Sequence, residues 1–183
     1  MGNKHMKELI AVIITLGLIA LIVTQQSPKN TYQAIPPLSG FVLQDVAELA
    51  IHIQDKPSLA AKKEGLQWRL MGSDKTTYLN VLAVDQLLHD LQTMQVKRIA
   101  SRNKDTFARF AVAENQVVLK DNQGQVLLDV FIGKPATDLT NTYIRLADAE
   151  LVMTVDKVLT WQVKRTQDAW LEQEAATKDV STE

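Results

Sequence analysis

The chain has 183 residues, with 20 Lys and Arg against 21 Asp and Glu for a net charge of −1, and it has no cysteine. Balanced charge argues against a general polyanion-binding surface of the kind a nucleic-acid reader needs, and without thiols neither disulfides nor thiolate metal sites can form. Once an apolar leader and a polar tail are set aside, about 130 residues remain, enough for one hydrophobic core and not two.

Lys4 and Lys7 precede an uncharged, proline-free run at 9–23 in which eleven of fifteen residues are Leu, Ile or Val. That composition favours membrane insertion by roughly 3–6 kcal/mol. Between Ile22 and Ser27 no small residues stand at signal-peptidase spacing, and Pro28 blocks a cut after Ser27. The run is therefore expected to stay attached as a transmembrane anchor over 9–24. It is shorter than the ~20 residues of a full span, a gap that snorkelling of Lys7 and a thinned bilayer can close. The next cation is Lys29, so the positive-inside bias puts residues 1–8 in the cytoplasm. In a bacterium this is an inner-membrane protein crossing once, with its C-terminal domain periplasmic. Residues 25–39, containing Pro28, Pro36 and Pro37, read as a tether.

The folded domain is expected over 40–171. At 46–53, Leu49, Ile51 and Ile53 share one face at period two, as in a half-buried strand that Lys56-Pro57 ends. After a polar stretch at 62–65, residues 66–71 alternate again and are expected to pair back antiparallel, before Gly72-Ser73-Asp74 turns the chain. Asn80 is the expected N-cap of a helix over 81–95, with Val84, Leu87, Leu88, Leu91 and Met94 on the apolar face and Asp85, Gln86, His89, Asp90 and Gln92 opposite. A short strand at 97–100 and a helical turn at 104–109 follow.

The strongest hairpin signal joins 116–120 to 125–132 through Asp121-Asn122-Gln123-Gly124, with Gly133-Lys134-Pro135 as a stop. A second hairpin joins 142–146 to 150–155. Asp156 is then expected to cap a terminal helix with Leu159, Val163, Thr166 and Trp170 on one stripe. The polar tail 172–183 is expected to be disordered. About seven strands and two principal helices predict an α+β domain, a mostly antiparallel sheet with helices packed on one face.

The strand Gly65-Leu66-Gln67-Trp68-Arg69-Leu70, the helix around Val84-Asp85-Gln86-Leu87-Leu88, and the later Ile132-Gly133-Lys134 and Thr142-Tyr143-Ile144-Arg145 elements together resemble an uncharacterised envelope-domain family, catalogued as domain of unknown function number 4340. The resemblance covers most of 46–155. It departs from the family pattern at Phe110-Ala111-Val112-Ala113-Glu114, where a Gly-Leu pair and a proline would be expected. It implies an extracytoplasmic α+β module, sometimes associated with ABC-type export systems, with no catalytic residues to carry over. Larger members have more than one such unit, and this chain has room for one.

Chemistry finds few footholds. His5, His52 and His89 are dispersed along the chain, which does not suit metal ligation. No Gly-x-Ser-x-Gly elbow is present, and Gly133-Lys134 lacks the glycine and Ser/Thr of a phosphate loop. The 138–142 stretch misses the spacing of a calcium loop, and Asp85 and Asp90 are too far round a helix for an acid/base pair. No metal or cofactor site is expected. The candidate interaction residues are the cations Lys97, Arg98, Arg102, Lys104 and Arg109, which a solvated face also explains, and Trp161 and Trp170. Nine residues apart, these two indoles fall on different sides of a helix, so that one can seat it on the sheet while the other marks a contact surface, unless both pack in the core.

The leading expectation is thus a non-catalytic scaffold or accessory subunit of a cell-envelope membrane complex, with ABC-type export or secretion and assembly as candidate settings. Its partners are the bilayer and membrane-complex proteins, not nucleic acid. The alternative is a periplasmic binding module for a lipid, glycan or peptide, and an enzyme ranks last.

Overall fold

Period-two alternation becomes an eight-stranded sheet, antiparallel at every pairing, in the computed structural model. The structure describes residue 38 and residues 40–172. The anchor, the tether apart from residue 38, and the tail from residue 173 lie outside the described residues. Among the described residues no helix is long and apolar enough to cross a membrane.

The strands are β1 Glu48–Ile53, β2 Leu59–Glu64, β3 Gln67–Leu70, β4 Val96–Ser101, β5 Asn115–Lys120, β6 Val126–Pro135, β7 Thr142–Leu146 and β8 Val152–Val155. In space they run β3-β2-β1-β5-β6-β7-β8-β4. The helices are α1 Val81–Thr93 and the single turns α2 Phe107–Phe110, α3 Thr160–Val163 and α4 Gln167–Trp170. The α+β class is as the sequence predicts.

Four details differ. First, β2 was not expected: its apolar positions, Leu59 and Ala61, are few, and Lys62-Lys63-Glu64 reads as loop although it forms the second half of the strand. The segment at 67–70 consequently pairs with β2, Glu64 opposite Gln67, and not with β1. Gly65 at φ 63° makes the tight turn between them.

Second, β6 continues through Gly133 to Pro135, with a register shift between Ile132 and Pro135. Gly133 does not stop the strand. It admits the Phe110 carbonyl oxygen, which would lie 2.3 Å from a Cβ at this position.

Third, the terminal helix is two separate turns. Asp156 caps neither, because its Oδ1 accepts the Gln95 amide at 2.8 Å while Oδ2 pairs with Lys97 at 3.4 Å. Leu159, Val163 and Trp170 are buried but Thr166 is exposed.

Fourth, helices lie on both faces. α1 and the terminal turns cover the main core around Leu49, Val117, Val130 and Ile144. α2 instead packs on the reverse face, where Phe107 and Phe110 meet a smaller cluster of Val112, Ala136, Tyr143 and Val152.

α1 begins where expected, with Asn80 Oδ1 accepting the Ala83 amide at 3.2 Å. Its polar face is not wholly solvated. Asp90 is buried, accepting from Gln86 Nε2 at 2.9 Å and Gln162 Nε2 at 2.7 Å, with Lys157 Nζ at 3.5 Å. Gln162 and Lys157 belong to or adjoin α3, so the carboxylate fastens α3 to α1.

Burial alone would raise the Asp90 pKa, but the hydrogen bonds from Gln86 and Gln162 and the charge of Lys157 outweigh it and hold the carboxyl below its ordinary value. A depressed folded pKa contributes stability that is present above the unfolded value, near 3.9, and is lost as pH falls through the folded one. Asp90→Asn is predicted to cost about 1–3 kcal/mol at neutral pH. The gap between thermal melts of the two proteins should begin to close below about pH 4 and shrink progressively as the pH falls further; a gap that persists to the lowest pH would contradict this role for the charge.

Candidate functional site

The C-terminal segment is laced to the sheet by backbone hydrogen bonds. β3 pairs outward with the stretch around Tyr78, through Leu70 N to Thr77 O at 2.8 Å and Leu79 N to Trp68 O at 2.7 Å. That stretch in turn receives Glu172 N at Tyr78 O, 2.9 Å, and donates Asn80 N to Trp170 O, 2.8 Å. Edge protection of β3 and placement of Trp170 therefore come from one device. Trp170, 2% exposed, is held against the main core.

Beside it the chain leaves a cleft of about 470 Å³ between the β1–β2 turn, the Gly72-Ser73-Asp74 turn and the start of α4. This is within the roughly 300–1,000 Å³ of small-ligand sites. Its apolar wall includes Ile53, Leu70, Met71 and Trp170, and its charged groups are Lys56, Asp74 and Arg165. The Arg165 guanidinium carbon lies 4.9 Å from the Trp161 ring centroid and 5.2 Å from that of Trp170. Burial lowers the Arg165 pKa from its ordinary value, yet a guanidinium stays charged in a protein. Among the described residues it makes no hydrogen bond or ion pair, and its contacts are the two indole rings. Trp161 is 56% exposed. The result is an exposed indole, a stacked cation and a buried indole in succession, opening onto a partly apolar cleft.

Arg165 went unmarked in the sequence because the terminal segment reads as one continuous helix, on which attention falls on the apolar stripe. The available signal was its position four residues after Trp161, a helical spacing suited to cation–π contact.

Two of the five expected cations have carboxylate partners. Lys97 pairs with Asp156 at 3.4 Å, Lys104 with Glu150 at 2.6 Å, and Arg109 stacks 5.7 Å from the Phe110 centroid. Arg98 sits exposed on the sheet-edge strand β4, where a charged side chain discourages edge-to-edge pairing; Arg102 is exposed in the following loop. In the exposed 138–142 loop the Asp138 carboxylate bonds within the loop, Oδ1 accepting the Thr140 and Asn141 amides at 3.1 Å. His52 Nδ1 lies 2.8 Å from Ser58 Oγ, and His89 is on α1. His5 lies outside the described residues. Among the described residues no three His, Asp or Glu side chains come together as a metal site.

A second cavity, about 640 Å³, lies at the other end of β1 and β2, lined by residues such as Gln44, Lys63, Gly65 and Gln123. Asp121, also in its wall, spends its Oδ1 on the Gln123 and Gln125 amides, both at 2.8 Å, closing the β5–β6 turn.

A family model described as Domain of unknown function (DUF4340) matches residues 68–181. The match begins inside β3, later than the resemblance read from sequence, and so omits β1 and β2, although β1 sits between β2 and β5 and is hydrogen-bonded to both. The structural unit thus starts ahead of the matched region. No curated protein and no solved structure matches the chain.

Proposed function

The chain belongs to the family described as domain of unknown function DUF4340, and from that membership and its own geometry we propose that it is a single-span inner-membrane protein whose periplasmic domain is a non-catalytic accessory or scaffold subunit of a cell-envelope complex. The observation that carries this reading is the Trp161–Arg165 surface. A large indole left 56% exposed, backed by a stacked and partly desolvated arginine, has the composition of an interface hot spot. The apolar run at 9–23 and the cations before it support the anchor and its orientation. Export or secretion assemblies are the natural setting for a tethered domain of this kind.

Trp161→Ala is predicted to reduce recovery of the partner with the full chain, in mild detergent, by about tenfold or more, while shifting the thermal midpoint little because the side chain is exposed. A photo-crosslinking residue placed at 161 should capture a membrane-complex protein in intact cells, and one at Leu66, 89% exposed on the β2–β3 turn, should not. Equal recovery and equal crosslinking from both positions would remove the scaffold reading. Protection of the domain from protease added to spheroplasts would overturn the topology.

A second reading, a periplasmic module that binds a lipid, glycan or peptide, is favoured by the cleft beneath Arg165.

A further inference from the structure

We propose that the Trp170 cleft binds a small amphiphilic monocarboxylate, its carboxylate held by Arg165 and Lys56 and its hydrocarbon chain lying along Ile53, Leu70, Met71 and Trp170. The proposal deepens the second reading above and rests on the cleft being a ligand site; it requires neither the anchor nor the scaffold role.

Three observations carry it. The first is the unanswered donor set of Arg165. The guanidinium lies over two indole rings, and its N–H groups meet no acceptor among the described residues. A planar fork of donors in a partly desolvated position is matched by a carboxylate, which accepts two parallel hydrogen bonds.

The second is the charge of the wall. Lys56 and Arg165 against Asp74 leave one positive charge, with no other ionisable side chain lining the cleft. That balance suits a monoanion, and Asp74 repels a phosphate dianion more strongly. The third is the apolar remainder. Ile53 and Leu70 are only partly buried against the main core, and Met71 is 46% exposed. A hydrocarbon chain laid over them would remove that surface from water at roughly 25 cal/mol per Å², and the thioether of Met71 adapts readily to an irregular occupant.

The test is titration of the full chain in lipid nanodiscs, with empty nanodiscs subtracted, using decanoate, decanol, acetate and inorganic phosphate. Calorimetry and tryptophan emission are the readouts. Decanoate is expected to bind saturably at one per chain with a change in tryptophan emission, and decanol, acetate and phosphate to bind at least tenfold more weakly. Arg165→Gln should weaken decanoate at least tenfold. Met71→Glu, a change at an exposed position that puts a charge against the hydrocarbon chain, should do the same with an unchanged thermal midpoint.

The proposal fails if decanoate uptake does not saturate, if decanol or phosphate matches decanoate, or if both variants bind as the wild type does. Its failure is separable from that of the scaffold role, which is read from crosslinking at position 161 and does not involve decanoate.

Discussion

Arg145→Ala is expected to lower the unfolding free energy by about 3–5 kcal/mol, a large part of a domain's total stability. Arg145 lies on β7, 8% exposed, on the reverse face of the sheet. Its Nε donates to Val112 O at 3.2 Å, and Nη1 donates to the carbonyls of Leu146, Ala147 and Ala149 at 3.1, 3.2 and 3.4 Å. Its guanidinium carbon is 4.5 Å from the Phe107 centroid and 4.1 Å from that of Phe131. No carboxylate makes a direct ion pair with it among the described residues; Asp129 acts at longer range, opposing the burial that lowers the Arg145 pKa.

One side chain therefore fastens the end of the α2 segment, closes the β7–β8 turn and fills the gap between two phenylalanines. Alanine would strand the carbonyls and leave a cavity, two costs that add. Arg145→Met separates them: it keeps much of the volume and should recover a fraction of the loss. Arg145→Lys should remain destabilised by about 2 kcal/mol or more, because a point charge on a flexible stem cannot serve Val112 and the turn together. Urea unfolding followed by tryptophan emission measures all three, and a loss under about 1 kcal/mol for the alanine variant would refute this account.

Gly133→Ala is the second large effect, expected at about 3 kcal/mol or more even though only a methyl group is added. A Cβ there would stand 2.3 Å from the Phe110 carbonyl oxygen, 2.7 Å from Val112 Cγ1 and 3.0 Å from the Tyr143 carbonyl oxygen. Two of these neighbours are backbone, so no rotamer change relieves the contact. α2 must retreat from the sheet, uncovering Tyr143, whose ring centroid now lies 4.7 Å from that of Phe110. Faster amide exchange at 107–112, with the 81–93 helix unchanged, would localise the damage to the reverse face. A variant with wild-type melting would show that the segment after α2 is not pressed on β6.

Both predictions concern residues that appear in the sequence as a strand-ending glycine and an ordinary strand arginine. The candidate cleft is similarly divided. Trp161 and Trp170 stand out as large aromatics near the C-terminus, but the break between their two turns, not helical spacing, leaves one 56% and the other 2% exposed. Lys56 and Met71 come from turns 15 residues apart and Arg165 from a helix break 94 residues beyond Met71, and nothing local draws Arg165 to the other two.

By itself the sequence determined the elements whose cause is local. Alternation at Leu49 and Ile51, the Asn80 cap with apolar positions three and four apart, and the Asp121 to Gly124 turn each act over a few residues, where period and turn chemistry are decisive. Tertiary structure alone decided whatever depends on a distant neighbour. It made Lys62-Lys63-Glu64 the end of a strand, because β1 and β3 supply its hydrogen bonds on both sides. It buried Asp90 from a polar helix face by bringing Gln162 across 72 residues, and it diverted Asp156 from capping by offering the Gln95 amide across 61. In each case a polar group's conformation was set by the partner that satisfies it, and such partners are chosen by packing, not by chain proximity.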